Sequence, residues 1–358
     1  MDFWKVLLIP FACLYGFIIR IRHWLFNANI LKSESFPMPI IGVGNLSLGG
    51  TGKTPVVEYL IRMLSSENKL AVLSRGYGRK TKGFLIANQY SKHEDIGDEP
   101  MQYRNKFKNI IKVVVSENRS KGIKNLMQDD KNLDVILLDD SFQHRYVKPG
   151  ISILLTDFHS LYMEDYLIPS GTLRDVVSEA KRADIIIVTK TYKVLSPITR
   201  RRIKGILKPH KKQSLYFSHI NYGSLTPFPG FGKIKLPKHI NTIVLFCGIA
   251  NSYPLQEYLR DLCVNLLVVD FPDHHSYRVK DLQLVVKTYE EVFTHNKIII
   301  TTEKDTMRLI KSEYISRLDK LPLFFIPIEI KFHGLDEINF ANQIKKYVRE
   351  NRRNSKIY

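Results

Sequence analysis

Ile40-Ile41-Gly42-Val43-Gly44-Asn45-Leu46-Ser47-Leu48-Gly49-Gly50-Thr51-Gly52-Lys53-Thr54-Pro55 is the stretch on which the reading of this chain turns. An apolar run from Pro39 to Val43 reads as a buried strand, a glycine-rich turn follows, and from Pro55 the apolar residues recur at helical spacing. Strand, loop and helix in that order make a phosphate cradle: glycines let successive N–H groups point into one concavity, and the helix N-terminus adds the positive end of its dipole. Ser47, Leu48, Gly49, Gly50, Thr51 and Gly52 would wrap the phosphates, Lys53 would reach the terminal ones, and the Thr54 hydroxyl would hold Mg²⁺. Ser47 stands where the general G-x-x-x-x-G-K-[ST] pattern has glycine, with Gly49 and Gly50 partly making up for it. Pro55 suits the first turn of a helix, where its missing donor would be unpaired anyway.

Outward from this loop the chain alternates strands and helices, the pattern of a parallel sheet whose ligands collect at the strands' carboxyl ends. The strand Leu70–Leu73 ends in Ser74-Arg75-Gly76-Tyr77-Gly78-Arg79, which places Arg75 and Arg79 on the rim that carries Lys53. Residues 94–100 form an acidic cluster just before a helical stretch, in which Asp98 or Glu99 either caps that helix or faces the phosphate loop as a general base. A strand from Ile111 leads to Ser116-Glu117-Asn118-Arg119. The next, Asp134 to Leu138, ends in Asp139-Asp140-Ser141-Phe142-Gln143-His144. Paired strand-end carboxylates are the usual partner of a phosphate loop, holding Mg²⁺ directly or through water. Gln143 and His144, just past them, are candidates to face substrate, and Arg174 sits in a Pro/Gly turn further on.

From residue 191 to 240 the composition shifts towards Lys, Arg and Pro, and a second α/β unit without a phosphate loop begins near Thr242. Its notable chemistry is Asp273-His274-His275, where an aspartate could orient a neighbouring histidine. The expected organisation is a membrane-associated helix over 1–27, a nucleotide-binding domain over 28–210 and a smaller α/β domain over 211–358 that completes the cleft.

The 54 Lys and Arg residues exceed the 35 Asp and Glu by 19, which predicts a polyanionic partner: nucleic acid, nucleotide or an anionic membrane. The N-terminus narrows that choice. Residues 6–19 carry no charge, while Lys5, Arg20, Arg22 and His23 flank them and Trp4 and Trp24 stand at the edges. The run is shorter than the ~20 apolar residues of a spanning helix and suits one lying among anionic headgroups. No small-residue cleavage site follows Ile19, which argues against a signal peptide. Three widely spaced cysteines, Cys13, Cys247 and Cys263, fit a reducing cytoplasm and no zinc site. A nucleic-acid binder would want an aromatic-studded basic strand or a reading motif, and neither is present; a hydrolysing switch would leave the second unit's histidines without a purpose.

Taken together, the Ser47–Thr54 loop, S-R-G-Y-G-R at 74–79, G-D-E-P at 97–100, D-D-x-F-Q-H at 139–144, L-R at 173–174, G-I-A-N at 248–251, D-H-H at 273–275 and T-E-K-D at 302–305 resemble the tetraacyldisaccharide 4′-kinases, the lipid A 4′-kinases of Gram-negative bacteria, over nearly the whole chain. The resemblance accounts for Ser47, because that family's loop commonly opens on serine. It implies a P-loop NTPase-like fold and transfer of the ATP γ-phosphate to the 4′-hydroxyl of a tetraacylated glucosamine disaccharide 1-phosphate at the cytoplasmic face of the inner membrane, with no obligate protein partner. Carried over, Lys53 and Thr54 match the phosphate and Mg²⁺ positions, Asp139 and Asp140 the metal carboxylates, Asp98 the catalytic carboxylate and His274 the histidine working with it. Arg75, Tyr77, Arg119, Gln143 and Arg174 are the expected substrate-binding or phosphate-binding residues. Ser141 replaces the glycine common in the family's D-D-G-F-Q-H.

Overall fold

The computed structural model describes residues 6–231, 235–273, 275–310 and 314–355, with side chains to 352. Within them a nine-stranded sheet is built from β1 (Ile40–Asn45), β2 (Leu70–Ser74), β3 (Leu85–Ile86), β4 (Ile111–Val115), β5 (Val135–Leu138), β6 (Ile151–Asp157), β7 (Ile185–Thr189), β8 (Ser214–Tyr222) and a late strand, Ile328–Phe332. A five-stranded sheet takes β9 (Thr226–Pro227), β10 (Ile240–Cys247), β11 (Cys263–Asp270), β12 (Lys297–Thr302) and β13 (Leu323–Ile326); the late strand of the first sheet is β14. The first sheet runs β14-β8-β7-β6-β1-β5-β2-β4-β3, parallel except at its two edges, and the second runs β11-β10-β12-β13-β9 with only β9 antiparallel.

All six residues of β1 are buried, as a central parallel strand covered on both faces requires. Helix Lys53–Leu64 covers one face with Val56, Val57, Leu60 and Ile61, against Ile41, Val43, Leu137 and Ile153. On the other face Gly42 and Gly44 leave room for the turn after β5. A Cβ at Gly44 would lie 2.7 Å from the Phe142 backbone nitrogen, and one at Gly42 would lie 2.8 Å from Ser141 Oγ. The sequence therefore brings the loop after β1 and the carboxylates after β5 onto adjacent strands at the same end of the sheet.

The domain boundary expected at 210/211 does not coincide with the division between the sheets. β8 pairs with β7, β14 pairs with β8, and helix Asp336–Ser355 buries Phe340, Ile344 and Val348 in the core of the first sheet. The second sheet is inserted between β8 and β14. The chain leaves and returns by two neighbouring segments, 223–225 and Pro327, joined where Gly223 N–H donates to the Pro327 carbonyl at 2.8 Å. Part of the basic composition of residues 191–240 belongs to helix Pro197–Leu207, whose Ile203 and Leu207 are buried in the first unit.

The N-terminal helix spans Ile9–Asn27, longer than the uncharged run, because Arg20, Arg22 and His23 continue the helix rather than ending it. It is long and apolar enough to cross a membrane by length and composition. Ala12, Gly16, His23 and Phe26 face the protein, whereas Leu7, Phe11, Leu14, Ile18 and Ile21 form an exposed stripe at helical spacing, with Phe17 and Trp24 beside it.

Candidate active site

Asn45, the last residue of β1, organises the phosphate loop from below. Its amide donates to the Ser47 carbonyl at 2.7 Å, and its Oδ1 accepts from Lys53 Nζ at 3.2 Å and from an Arg174 guanidinium nitrogen at 2.5 Å. Gly49 (φ +92°) and Gly52 (φ +83°) take the left-handed backbone that the tight loop needs. Leu48 N–H donates to the Thr172 carbonyl at 2.7 Å and Arg174 N–H to the Leu46 carbonyl at 2.8 Å, so residues 172–174 lie alongside the loop's entry as a strap.

Asp139 and Asp140 stand opposite the loop in different states. Asp139 is buried; one carboxylate oxygen accepts from the Tyr103 hydroxyl at 3.3 Å, and the other, Oδ1, is buried without a hydrogen-bond partner. Burial, then the charges of Glu99 and Asp140, pushes the Asp139 carboxyl up to about 7 against the pull of Lys53 and Arg119. For Asp140, burial also works upward, but the Arg174 hydrogen bonds and the charges of Lys53, Arg174 and Arg119 outweigh it and hold the group down at about 2. Arg174 grips Asp140 with both terminal nitrogens, one at 2.9 Å, and Lys53 Nζ lies 3.8 Å from Asp140 Oδ1.

An unpartnered buried carboxylate oxygen facing a second carboxylate and a helix N-terminus suits a hard cation. Among the described residues no cluster of three His, Cys, Asp or Glu side chains could hold a metal alone. Two carboxylates that leave positions for phosphate oxygens and water are what Mg²⁺ uses. Thr54, part-buried at the start of the helix, is the nearby hydroxyl.

The remaining expected residues divide into open and closed. Arg75 and Tyr77 are exposed on the rim. Arg119 is almost wholly buried beneath it, donating to the Ser116 carbonyl at 2.9 Å and the Asp139 carbonyl at 3.3 Å, and burial lowers its pKa to about 10. It supports the carboxylates from behind instead of reaching outward. Arg79 is likewise enclosed, paired with Glu117 and the Gly83 carbonyl. Gln143 spends its amide on the Asn45 carbonyl at 2.7 Å, a brace between β1 and the carboxylate turn. His144 is pushed down to about 4 by burial and by Arg119 and Arg75, so it is neutral at physiological pH.

Asp98 opens helix Asp98–Phe107, held against the S-R-G-Y-G-R loop where a Cβ on Gly97 would lie 2.8 Å from the Tyr77 carbonyl oxygen. One partner comes from helix Glu303–Leu309, which follows β12 of the second sheet. Arg308 Nε sits 2.8 Å from Asp98 Oδ2, while the Arg308 NH1 group donates to the Gly248 carbonyl at 3.0 Å and to Asp305 at 2.9 Å. The G-I-A-N and T-E-K-D motifs thus meet through one arginine. His274 lies outside the described residues. His275 is oriented by Asp281, 2.9 Å from its Nε2, and stacks on Phe271; Asp273 lies 3.8 Å from Lys304.

Sequence reasoning did not single out Asn45, Tyr103 or Arg308. Asn45 carried a signal in its place, the polar residue ending an otherwise apolar strand. Tyr103 and Arg308 reach the site only through tertiary packing.

A sequence model of the family described as Tetraacyldisaccharide-1-P 4'-kinase (LpxK) matches residues 4–349. A relative called Tetraacyldisaccharide 4'-kinase from Parabacteroides distasonis is 42% identical over 353 residues, 96% of this chain and 94% of the relative. Another of that name from Flavobacterium psychrophilum is 43% identical over 354 residues, 97% and 98% of the two chains. The fold is also similar to a crystal structure of LpxK from Aquifex aeolicus in complex with ATP, with a TM-score of 0.72 at 28% identity over 96% of this chain and 99% of that one.

Proposed function

This chain belongs to the tetraacyldisaccharide-1-P 4'-kinase family, and from that premise we propose which of its residues carry the reaction and where it takes place. The chemistry is transfer of the ATP γ-phosphate to the 4'-hydroxyl of an acylated disaccharide 1-phosphate, the step that makes the 4'-phosphorylated lipid A precursor. Such a transfer asks for little covalent work. Rate comes from setting the sugar hydroxyl in line with the γ-phosphorus and neutralising the charge on its oxygens.

The observation that carries the assignment is the unpartnered Asp139 oxygen beside an Asp140 already held ionised by Arg174 and Lys53. Asp139, Asp140 and Thr54 would hold Mg²⁺, which when bound neutralises phosphate charge. The backbone of Ser47 to Gly52 wraps the phosphates, and Lys53 supplies a cation to the transferring group. Arg174 can pass from Asp140 to a phosphate oxygen without leaving the site. Arg75 and Tyr77, open on the rim, suit the disaccharide and its 1-phosphate. Asp98 accepts the 4'-hydroxyl proton late in the transfer, with Arg308 fixing the carboxylate and His274 assisting from the second unit.

The N-terminal helix is read as lying in the cytoplasmic leaflet of the inner membrane, presenting the acyl chains of the substrate to the rim. Its inward face is bonded to the body along three turns, from Tyr15 to Phe26, while the Phe11–Ile21 stripe is free to enter lipid.

The test is transfer of labelled γ-phosphate from Mg·ATP to an acylated disaccharide 1-phosphate in detergent micelles. Lys53→Ala should abolish label in the lipid phase. Asp98→Asn should lower kcat by about 10²–10⁴-fold with the affinity for ATP retained, the scale of general-base loss. An equal fall in ATP affinity would remove Asp98 from the role of base, and label released only as free phosphate would point to a hydrolysing switch.

A further inference from the structure

We infer that the N-terminal helix is part of the nucleotide site as well as a membrane anchor: Tyr15 and His23 are positioning residues that fix the Arg174 strap, and through it the phosphate loop and Asp140. The inference rests on the reading of Arg174 and Asp140 as phosphate and metal residues.

The connection is short and made of polar contacts. The Tyr15 hydroxyl donates to the Arg174 carbonyl at 2.9 Å. One residue on, Asp175 is buried and its Oδ1 lies 2.6 Å from His23 Nε2. With Nε2–H donating to Asp175, His23 Nδ1 accepts from Arg145 NH1 at 3.0 Å, and Arg145 also donates to the His23 carbonyl at 3.2 Å and to Asn27 at 2.6 Å. Glu179 closes the cluster, 3.2 Å from His23 Nδ1 and 2.5 Å from Arg182 Nε. A second route runs from Arg22, which donates to the Gln143 carbonyl at 3.0 Å while the Gln143 amide holds the Asn45 carbonyl.

The Tyr15 contact falls on Arg174 itself and the His23 contact on the next residue, Asp175. The Arg174 backbone is pinned on one side by Tyr15 and on the other by Leu46, its side chain grips Asp140 and Asn45, and Thr172 receives the Leu48 N–H. Buried polar groups in such a chain have few alternative partners, so their geometry is set jointly. A helix serving only as an anchor would need none of this; apolar packing such as that of Gly16, where a Cβ would lie 2.7 Å from Leu167, would hold it in place. The polar contacts face inward and the apolar stripe outward, so the two duties fall on different residues of one helix.

The experiment uses the full chain in detergent micelles and on vesicles containing phosphatidylglycerol, with Mg·ATP affinity read by titration of a fluorescent ATP analogue. Tyr15→Phe deletes one hydroxyl and should weaken Mg·ATP binding about three- to tenfold, the scale of one lost hydrogen bond. His23→Ala should do so more strongly, and His23→Gln, which returns an N–H donor, should recover part of the loss. Neither Tyr15→Phe nor His23→Gln should change partition onto vesicles. The double variant Phe11→Ser, Leu14→Ser should behave oppositely, leaving vesicles while binding Mg·ATP in micelles as the parent does. Arg174→Ala separates the two layers of the argument. If it loses Mg·ATP and the Tyr15 and His23 variants do not, the coupling is wrong; if Arg174→Ala itself binds like the parent, the reading of the strap as phosphate-binding falls and the inference with it.

Discussion

Asp139 and Asp140 are neighbours in sequence and opposites in charge state, and the difference has a testable cost. The Asp139 carboxyl, raised to about 7 by burial and by Glu99 and Asp140, stays protonated in the folded chain over a range where it would be ionised unfolded. A folded state that binds the extra proton loses stability as pH rises towards that value. Asp139→Asn, which keeps an oxygen for Tyr103 and removes the buried charge, should therefore raise Tm at pH 8 in the absence of divalent cation, by roughly 2–4 °C for each kcal/mol relieved. The gain should change little between pH 8 and 7, shrink steadily as pH falls from about 7, and disappear only below the ordinary aspartate range near 4. A gain independent of pH would mean that Asp139 is not the group titrating. The same proton competes with metal, so Mg²⁺ affinity of the parent should weaken below about pH 7 as Asp139 takes up its proton. These residues were legible from the sequence because an apolar strand ending in two carboxylates announces itself locally. Arg119 and Gln143 were legible as nearby polar residues, but not as supports facing away from substrate, since that depends on which way each side chain turns in the packed loop. Ser141 fits where a glycine was expected by pointing at the β1 backbone, its hydroxyl 3.4 Å from the Val43 carbonyl.

At the scale of elements, the phosphate loop and central parallel strands could be read from apolar runs and their punctuation, and they are found where those signals stand. β8 and β14 could not. Ser214–Tyr222 lies in a basic, proline-bearing region, and its hydrophobic residues gain meaning only from the neighbour β7 supplies. Pro327 ends β13, and the chain re-enters the first sheet one residue later. Helix Asp336–Ser355 is amphipathic in sequence without declaring which unit it covers. The packing answers that, with Phe340, Ile344 and Val348 buried against Ile330, Phe332 and Tyr216, and the Tyr347 hydroxyl accepting from Ile40 N–H at the start of β1 at 3.1 Å. Ending the chain at residue 335 would expose three side chains worth about 1.5–3 kcal/mol each, a large share of a typical stability of about 5–15 kcal/mol. The truncated protein should fail to show a cooperative melt and should lose ATP binding, although among the described residues the missing helix makes no hydrogen bond or ion pair to the phosphate loop. If it melted and bound ATP like the full chain, the helix would have to be assigned to the second unit, as the sequence suggested.

Across the whole molecule, the two units are tied by their covalent crossing and by charge contacts that include Glu99 with Lys304 at 3.6 Å and two further clusters. In one, Arg308 of the second unit holds Asp98 of the first. In the other, Lys106 of the first unit lies 2.7 Å from Glu58 and 2.9 Å from Glu303, the latter at the start of helix Glu303–Leu309 in the second. Burial, and the nearby Glu303 charge, raise the Glu58 carboxyl above the usual range, opposed by Lys106. Burial disfavours the charge on Lys106, yet the two glutamates outweigh it and raise its pKa. Arg62 also reaches Glu58, at 3.5 Å, but Lys106 is the cation that bridges Glu58 and Glu303 across the division between the units, and removing it should separate them. Lys106→Met keeps the length of the side chain and leaves Glu58 facing Glu303, at a cost of about 3 kcal/mol at pH 8, near the lower end for breaking a buried pair. Without Lys106 the Glu58 carboxyl is raised further in the folded state, so that state binds more protons than the unfolded one and the variant regains stability as pH falls. The drop in Tm relative to the parent should be largest at pH 8 and much reduced at pH 5.5. A drop of the same size at both pH values would show that Lys106 contributes through the packing of its stem alone, and that the two units are held together at this point without a charge balance.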